Sequence, residues 1–489
     1  MDHLKINAKD NVAVALAPLR AGEERLGVVL KDDIKRGHKF ALSAIAEGEN
    51  VIKYGSPIGR ASAPIAPGEH VHTHNVKTNL CGVLEYEYEP AAIPPVEGRK
   101  ATFLGFRRKD GRVGIRNEIW IVPTVGCVNE VAEAVAAKAR EYIGGSVSAV
   151  CAFTHPFGCS QLGDDHLRTQ KALAGLVRHP NAGGVLVLGL GCENNNIGRF
   201  RAVLGETDPE RVRFLNCQDV EDEEEEALAI LKELCDIASR DEREEAGSDE
   251  LVVGLKCGGS DGLSGITANP CVGAFSDLLI GGGGSAILTE VPEMFGAEQL
   301  LMNRCESREL FDRTVAMING FKEYFIRYGQ PVYENPSPGN IEGGITTLED
   351  KSLGCTEKSG STAVRDVLGY GDPVKVRGLS LLNAPGNDLV ASTSLAVSGA
   401  QLVLFTTGRG TPFGSPVPTV KISSNSALAE KKSGWIDFDA GIITETGDVK
   451  GCGEALFEYV MKLASGEILT KNEKTGKRGI SIFKDGVTL

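Results

Sequence analysis

The sequence predicts an α/β protein: a small β-rich module followed by two α/β units with largely parallel sheets. Three observations carry this. Short β-like runs separated by Gly, Pro and Asp turns fill residues 1–90. From residue 102, apolar runs alternate with helical patterns, as buried parallel strands and their crossover helices do. A second series of the same texture begins near residue 246. A chain of 489 residues is also too long for one core.

Taken in order, NVAVAL, GHKFALSAI, NVIKYG and HVHTHNV supply strands of the first module. EPAAIPPVEGRK has three prolines and neither period, which places a linker at 91–101. The first α/β domain spans 102–245, with strands in IWIVPTV, SVSAVCAF, GGVLVLGLG and VRFLNCQ. Helices are expected in NEVAEAVAAKAREYI and HLRTQKALAGLVRH. The acidic stretch 221–250 reads as a solvated amphipathic helix with a polar tail. The second α/β domain, 246–489, has strands in LVVGLK, GSAILTE, GLSLLNA and QLVLFTT.

Composition narrows the function. A net charge of −14 without a Lys/Arg cluster excludes a general nucleic-acid binder. No apolar stretch reaches the ~18 residues that span a bilayer. MDHLKINAKDNVAVAL lacks a signal-peptide pattern, so a cytoplasmic protein is expected. The twelve cysteines are then expected to be thiols or metal ligands.

In open parallel sheets, ligands bind beyond the carboxyl ends of the strands. Polar residues gather in the seven loops that follow the strands here: GCVNE, THPFGCSQLGDDH, CENNN, CGGSDGLSG, VPEMFG, PGND and GRGTPFG. This points to a site at a sheet edge. Cys127, Cys159, Cys192, Cys257 and Cys355 sit at Gly-flanked loop starts and could ligate iron, alone or in a cluster. Cys151 and Cys271 lie in apolar surroundings and read as core residues. His70, His72 and His74 stand at alternate positions, so an extended strand would turn all three to one side, about 7 Å apart. Two of them suffice for a metal or a proton relay, and His70 is the one released to structure. Dinucleotide, P-loop and nucleophile-elbow motifs are incomplete or absent.

GEHVHTHN, GRVGIRNEIWIVPTVGC, HPFGCSQLGDDH, GLGCENN, CGGSDGLSGITANP, LTEVPEMFGAEQLL, ENPSPGN, GGITTLEDKSLGC, APGND and FTTGRGTPFG resemble the altronate/galactarate dehydratase family over nearly the whole chain. The resemblance implies that residues 1–90 form a β-clip (SAF) module. It implies a hydro-lyase acting on a sugar acid, with altronate members yielding 2-dehydro-3-deoxy-D-gluconate in hexuronate (galacturonate) catabolism. It also implies ferrous iron, with manganese as a helper; an iron–sulfur cluster is left open. Galactarate, another sugar acid or a sulfolactate-type substrate is an alternative, and a non-enzymatic sugar-acid binder is a second.

The resemblance leaves the ligands open, so site residues come from the loops. His72, His74 and His166 are candidate acid–base groups. His72, His74, Cys192, Glu193, Cys257 and Cys355 are candidate metal ligands. Lys77, Arg116, Asn117, Asn194, Ser260, Asp261, Asn387, Asp388 and Arg409 are candidate substrate contacts, with Arg116 favoured to grip the carboxylate. The expected partner is a small-molecule sugar acid, with no nucleic acid and no membrane; homo-oligomerisation is left open.

Overall fold

The computed structural model describes residues 2–489. Its amino-terminal part is antiparallel. Strands His3–Leu4, Val12–Ala15, Lys39–Ala41 and His70–Val71 form one sheet, and Asn50–Lys53, Ser56–Ala61 and Val76–Lys77 another. Their apolar faces close a small core around Val12, Val51, Ile58, Ile65 and Val71. The strand through the histidines is short. It ends at Val71, and residues 72–74 turn away.

Residues 79–101 carry no helix or strand and lie over the carboxyl-terminal unit. The hydroxyl of Tyr88 donates to Cys305 O, and Ala91 N donates to Asn303 O. The expected linker is therefore a pinned strap.

The first α/β unit is a four-stranded parallel sheet in the order Ala149–Ala152, Glu118–Pro123, Ala182–Gly189, Val212–Asn216. Glu118–Pro123 is buried at every position, as a strand with helices on both faces must be. The acidic stretch yields a helix, Glu223–Ala238, capped by Asp222. Its tail is not solvated coil: Glu244–Gly247 is a strand paired with Thr102–Arg107. Arg107 offsets the acidic charge there by pairing with Glu244 and Glu250.

The carboxyl-terminal unit is a seven-stranded parallel sheet. Its order is Val364–Leu368, Gly378–Leu382, Ser285–Leu288, Val252–Cys257, Leu402–Thr407, Thr419–Ser423, Phe438–Asp439. Later strands are added to both sides of Val252–Cys257, which makes its carboxyl end the topological switch point where ligands bind in such sheets. The two α/β units share one core, in which Trp120 and Leu173 pack with Leu395 and Val403. No helix is long and apolar enough to cross a membrane among the described residues.

The amino-terminal module is bolted to the carboxyl-terminal unit by buried charge. Lys39 Nζ lies 2.8 Å and Lys53 Nζ 3.0 Å from the two oxygens of Asp350, and all three side chains are inaccessible. Lys39 also donates to Gly344 O. Burial pushes the Lys39 ammonium down to about 8 against the pull of Asp350. Backbones meet closely alongside: a β-carbon on Gly262 would stand 2.0 Å from Gly37 O, and one on Gly344 2.3 Å from it. Removing Asp350 would strand two buried cations. Asp350→Ala is expected to cost about 3–5 kcal/mol, read by denaturant unfolding, while Asp33→Ala at the exposed Arg20 pair leaves the transition in place.

Candidate active site

Three elements converge at the carboxyl end of Val252–Cys257: the strand itself, the turn Val291–Met294 and the helix Leu348–Thr356. The strand delivers Cys257, the turn Glu293 and the helix Cys355. Cys257 Sγ lies 3.3 Å from Cys355 Sγ and 3.1 Å from Glu293 Oε2, and Cys355 Sγ is 3.3 Å from the same oxygen. All three are buried, with donor atoms within 4.8 Å of one another. Both cysteines are free thiols.

A shell of lysines encloses this group. Lys256 pairs with Glu290 and, at 2.9 Å, with Asp388. Lys351 Nζ is 2.8 Å from Glu293 Oε1, and Lys358 Nζ is 3.4 Å from Glu290. Burial alone would strip these lysines of their protons. The carboxylates at Lys256 and Lys351, and at Lys358 Cys257 ahead of Glu290, more than reverse it and hold all three charged. Burial would likewise raise Glu293, but Lys351, Lys256 and Lys358 set it well below the usual carboxylate range. The hydrogen bond to Cys257, reinforced by burial, pushes the Cys355 thiol well up, so an arriving cation must displace a proton. Glu290 has φ of +69°, a left-handed conformation that a non-glycine residue holds only under constraint.

The space lined by Glu290, Glu293, Cys355 and Lys358 is close-packed, with no free volume for a water-sized body and none for a six-carbon acid. Groups at its mouth are Asp388, one-third exposed, with Asn335 and Asn340, which accept from Lys351. Ser260 is also near: its buried hydroxyl has no partner, and its carbonyl accepts from Asn340. A larger cleft of about 620 Å³, lined by Lys100, Gly247 and Gly281, lies at the amino ends of the strands and carries no thiol or histidine. The chemistry and the topology both favour the carboxyl edge over that volume.

The histidines form a second cluster, which His38 joins. Ring centroids of His38 and His72 are 4.9 Å apart, and those of His70 and His74 are 5.4 Å apart. Carbonyl acceptors fix the tautomers. His72 Nε2 donates to Ile341 O, and His38 Nε2 donates to Glu342 O, so His38 Nδ1 accepts from His70 Nε2 at 3.0 Å. That leaves His72 Nδ1 with a lone pair, buried and unpartnered. Burial, aided by neighbouring cations and imidazoles, pushes His70 down to about 4 and His72 to about 3. The segment carrying Asn335, Asn340, Ile341 and Glu342 touches both clusters, with Lys351 on one side and imidazoles on the other.

Of the expected ligands, Cys257 and Cys355 come together. His72 and His74 lie outside that group, because the chain turns at residue 72 and His72 donates to Ile341 O. Cys192 and Glu193 sit on the other sheet. Glu193 accepts from Thr124 and the amides of Leu190 and Gly191 and is not brought to the Cys257–Cys355 group.

Arg116 is also corrected. It is buried against Glu473, 2.6 Å away, and donates to the carbonyls of Ile115 and Leu463. Asn117 is buried and donates to Ser146 and Ala238 O. Asp261 is occupied by Ser264, Ser424 and Asn425. Asn387 caps the helix Asp388–Val397. Arg409 is exposed and pairs with Glu342, and Lys77 is exposed on Val76–Lys77. Asn194 accepts from Ser160 N, and His166 lies in the first turn of Gly163–Val177; both belong to the first sheet's edge.

Lys256, Glu290, Lys351, Lys358 and His38 escape a reading of strand ends, and Glu293 lies in a strand-end loop, VPEMFG, without being singled out as a ligand. The carboxylates of LTEVPE follow a strand directly and were the available signal.

Residues 248–488 match the family description D-galactarate/Altronate dehydratase, C-terminal; residues 105–239 match the D-galactarate dehydratase/Altronate hydrolase second domain; residues 1–79 match the Altronate/galactarate dehydratase SAF domain. The chain is 53% identical to altronate dehydratase of Bacillus subtilis (strain 168), over 99% of each chain. It is 53% identical to that of Escherichia coli (strain K12), over 100% of each. Identity to the Escherichia coli galactarate dehydratase (L-threo-forming) is 32%, over 97% of this chain and 95% of the other. The chain belongs to the altronate/galactarate dehydratase family and is a lyase.

Two outcomes follow from the geometry. Arg116→Met is expected to lower stability by about 3 kcal/mol or more and to leave KM unchanged in the folded fraction, as steady-state kinetics beside unfolding curves would show. His70 and His72 have folded pKa values below the free value of 6.5. The unfolded chain therefore binds more protons below pH 6.5, and stability falls as the pH drops from about 6.5 towards 4. Unfolding midpoints across that range should slope less steeply in His72→Gln than in the parent.

Proposed function

We propose that this chain dehydrates D-altronate to 2-dehydro-3-deoxy-D-gluconate and water, as a step of hexuronate catabolism in the cytoplasm. The observation that carries the choice of substrate is the contrast in identity: 53% over full length to relatives named altronate dehydratase, against 32% to the one named for galactarate.

The reaction removes the proton at C2, beside a carboxylate, and expels the C3 hydroxyl. Two thiols and a carboxylate within 4.8 Å make a donor set suited to a borderline-soft dication, so Cys257, Cys355 and Glu293 fit ferrous iron. When bound, the ion supplies Lewis acidity towards substrate oxygens.

The remaining work falls to the chain. Asp388, Ser260, Asn335 and Asn340 orient hydroxyls at the mouth. The cationic ammoniums of Lys256 and Lys351 behind them favour the negative charge that develops on the carboxylate. His72 Nδ1 is the group with a free lone pair. It is neutral at pH 7, and the arrival of an anionic substrate raises its pKa and makes it a better base. The Nε2–H of His72 donates to Ile341 O, which holds the ring in this tautomer and steadies the imidazolium.

The reading is tested by anaerobic assay with Fe²⁺ against altronate, galactarate and other aldonates and aldarates, following 2-keto acid. Preferred turnover of any acid other than altronate overturns the substrate assignment, and turnover of none overturns the activity. Glu293→Gln should lose iron along with rate. His72→Gln should keep iron and lose about 10²–10⁴ in kcat; wild-type kcat in that variant would remove the histidine from the mechanism.

A further inference from the structure

The edge of the first parallel sheet has chemistry that the site above does not use. Three neighbouring strands, Ala149–Ala152, Glu118–Pro123 and Ala182–Gly189, each run into a loop containing Gly-Cys: Cys159, Cys127 and Cys192. All three thiols are exposed and free, whereas Cys235, Cys257, Cys271, Cys305, Cys355 and Cys452 are buried. Free cysteine is among the most buried of residue types, so three exposed thiols on one edge call for a reason.

The loops are tied together at the cysteines. Gly126 N donates to Phe157 O at 2.9 Å, joining the Cys127 and Cys159 loops. Asn195 N donates to Gly158 O at 2.9 Å, and Ser160 N donates to Asn194 Oδ1 at 3.0 Å, joining the Cys159 and Cys192 loops. Cys159 Sγ itself lies 3.4 Å from Asn194 Oδ1. A β-carbon on Gly158 would stand 2.0 Å from Thr124 O, so the Cys159 loop rests directly on the strand end that leads to Cys127. Ser160, next to Cys159 in this loop, holds φ of +59°, a constrained conformation for a non-glycine residue.

We infer that Cys127, Cys159 and Cys192 hold a cubane iron–sulfur cluster by three of its irons, leaving the fourth without a protein thiolate. Spacing separates this from a single ion. Thiolates on one tetrahedral ion at 2.3 Å lie roughly 3.8 Å apart. Among the described residues, the group of three donors within 4.8 Å of one another is Cys257, Glu293 and Cys355, and these edge cysteines do not form one. Donors spread across three strands set about 4.8 Å apart suit a larger body. No fourth cysteine is offered there: Cys217, after the next strand, packs against the core, and burial pushes its thiol up to about 11. Binding exchanges three S–H protons, released to solvent, for three Fe–S bonds; two ferric irons, two ferrous irons and four sulfides come from outside the chain, so no change of oxidation state is needed.

The test is to purify the full chain anaerobically, reconstitute it with equal amounts of ferrous and ferric iron and with sulfide, and measure iron, acid-labile sulfide and the low-temperature EPR spectrum after reduction. About four sulfides per chain are expected, with at least a fivefold loss in each of Cys127→Ser, Cys159→Ser and Cys192→Ser. Cys81→Ser, at an exposed thiol outside this edge, and Cys257→Ser should both retain sulfide. Circular dichroism establishes that the serine variants are folded. Sulfide at trace level in the reconstituted parent, zinc in its place, or retention by the three edge variants overturns the inference. Loss in Cys257→Ser with retention in Cys159→Ser overturns it too, placing the cluster at the other centre. Failure of the altronate assay with sulfide counts as expected would leave the cluster standing and remove only the substrate reading.

Discussion

One carboxylate organises the molecule. Asp350 accepts from Lys39 and Lys53 of the amino-terminal module, and it sits on the same buried helix as Lys351 and Cys355. Glu349, its neighbour, accepts from Thr78 and Asn79 at the module's end. A single two-turn element thus reads the module on one side and the thiol–carboxylate group on the other. A buried ion triplet is weak evidence of net stability, since desolvation offsets much of its attraction. Its value here is geometric: two opposed cations leave the carboxylate one orientation, and the register of the helix follows.

The electrostatics of the centre obey a similar logic. Three lysines, two glutamates and two thiols are shut away from water together, and each charge is tolerable only because of its neighbours. Lys256 and Lys351 keep their protons because of Glu290, Asp388 and Glu293, and Lys358 because of Cys257 and Glu290; Glu293 stays ionised because of the lysines. Such mutual dependence makes the group rigid, and it makes polar substitutions there costly out of proportion to their size.

Much of this was legible in the sequence, and the pattern of what was not is physical. Val252–Cys257 is apolar, strand-length and followed by glycine, so both its burial and the placing of Cys257 at a sheet edge can be read directly. Cys355 was reachable by its Gly flank, although it turned out to lie in a helix. Lys256 was invisible because a lysine inside an apolar run looks like an interruption, and only tertiary structure shows the carboxylates that accept it. Arg116 misled for the opposite reason: its partner, Glu473, is hundreds of residues away, so a structural ion pair had the look of a free substrate clamp. The histidine row was half right. Strand period put the rings on one side, but Asn75 closes a turn at His72 by accepting from its amide, and the rings meet by folding over rather than by alternation.

The strap between the module and the first α/β unit has a consequence for how such a protein can be encoded. Residues 79–101 are fastened at intervals by Tyr86, which with Lys322 engages Glu298, and by Tyr88 and Ala91. The module beyond it is fastened separately by Asp350. A break in the backbone between Pro94 and Gly98 would cut none of these contacts. Covalent continuity contributes only local concentration, and two polypeptides, transcribed apart and made in equal amount, could assemble the same body.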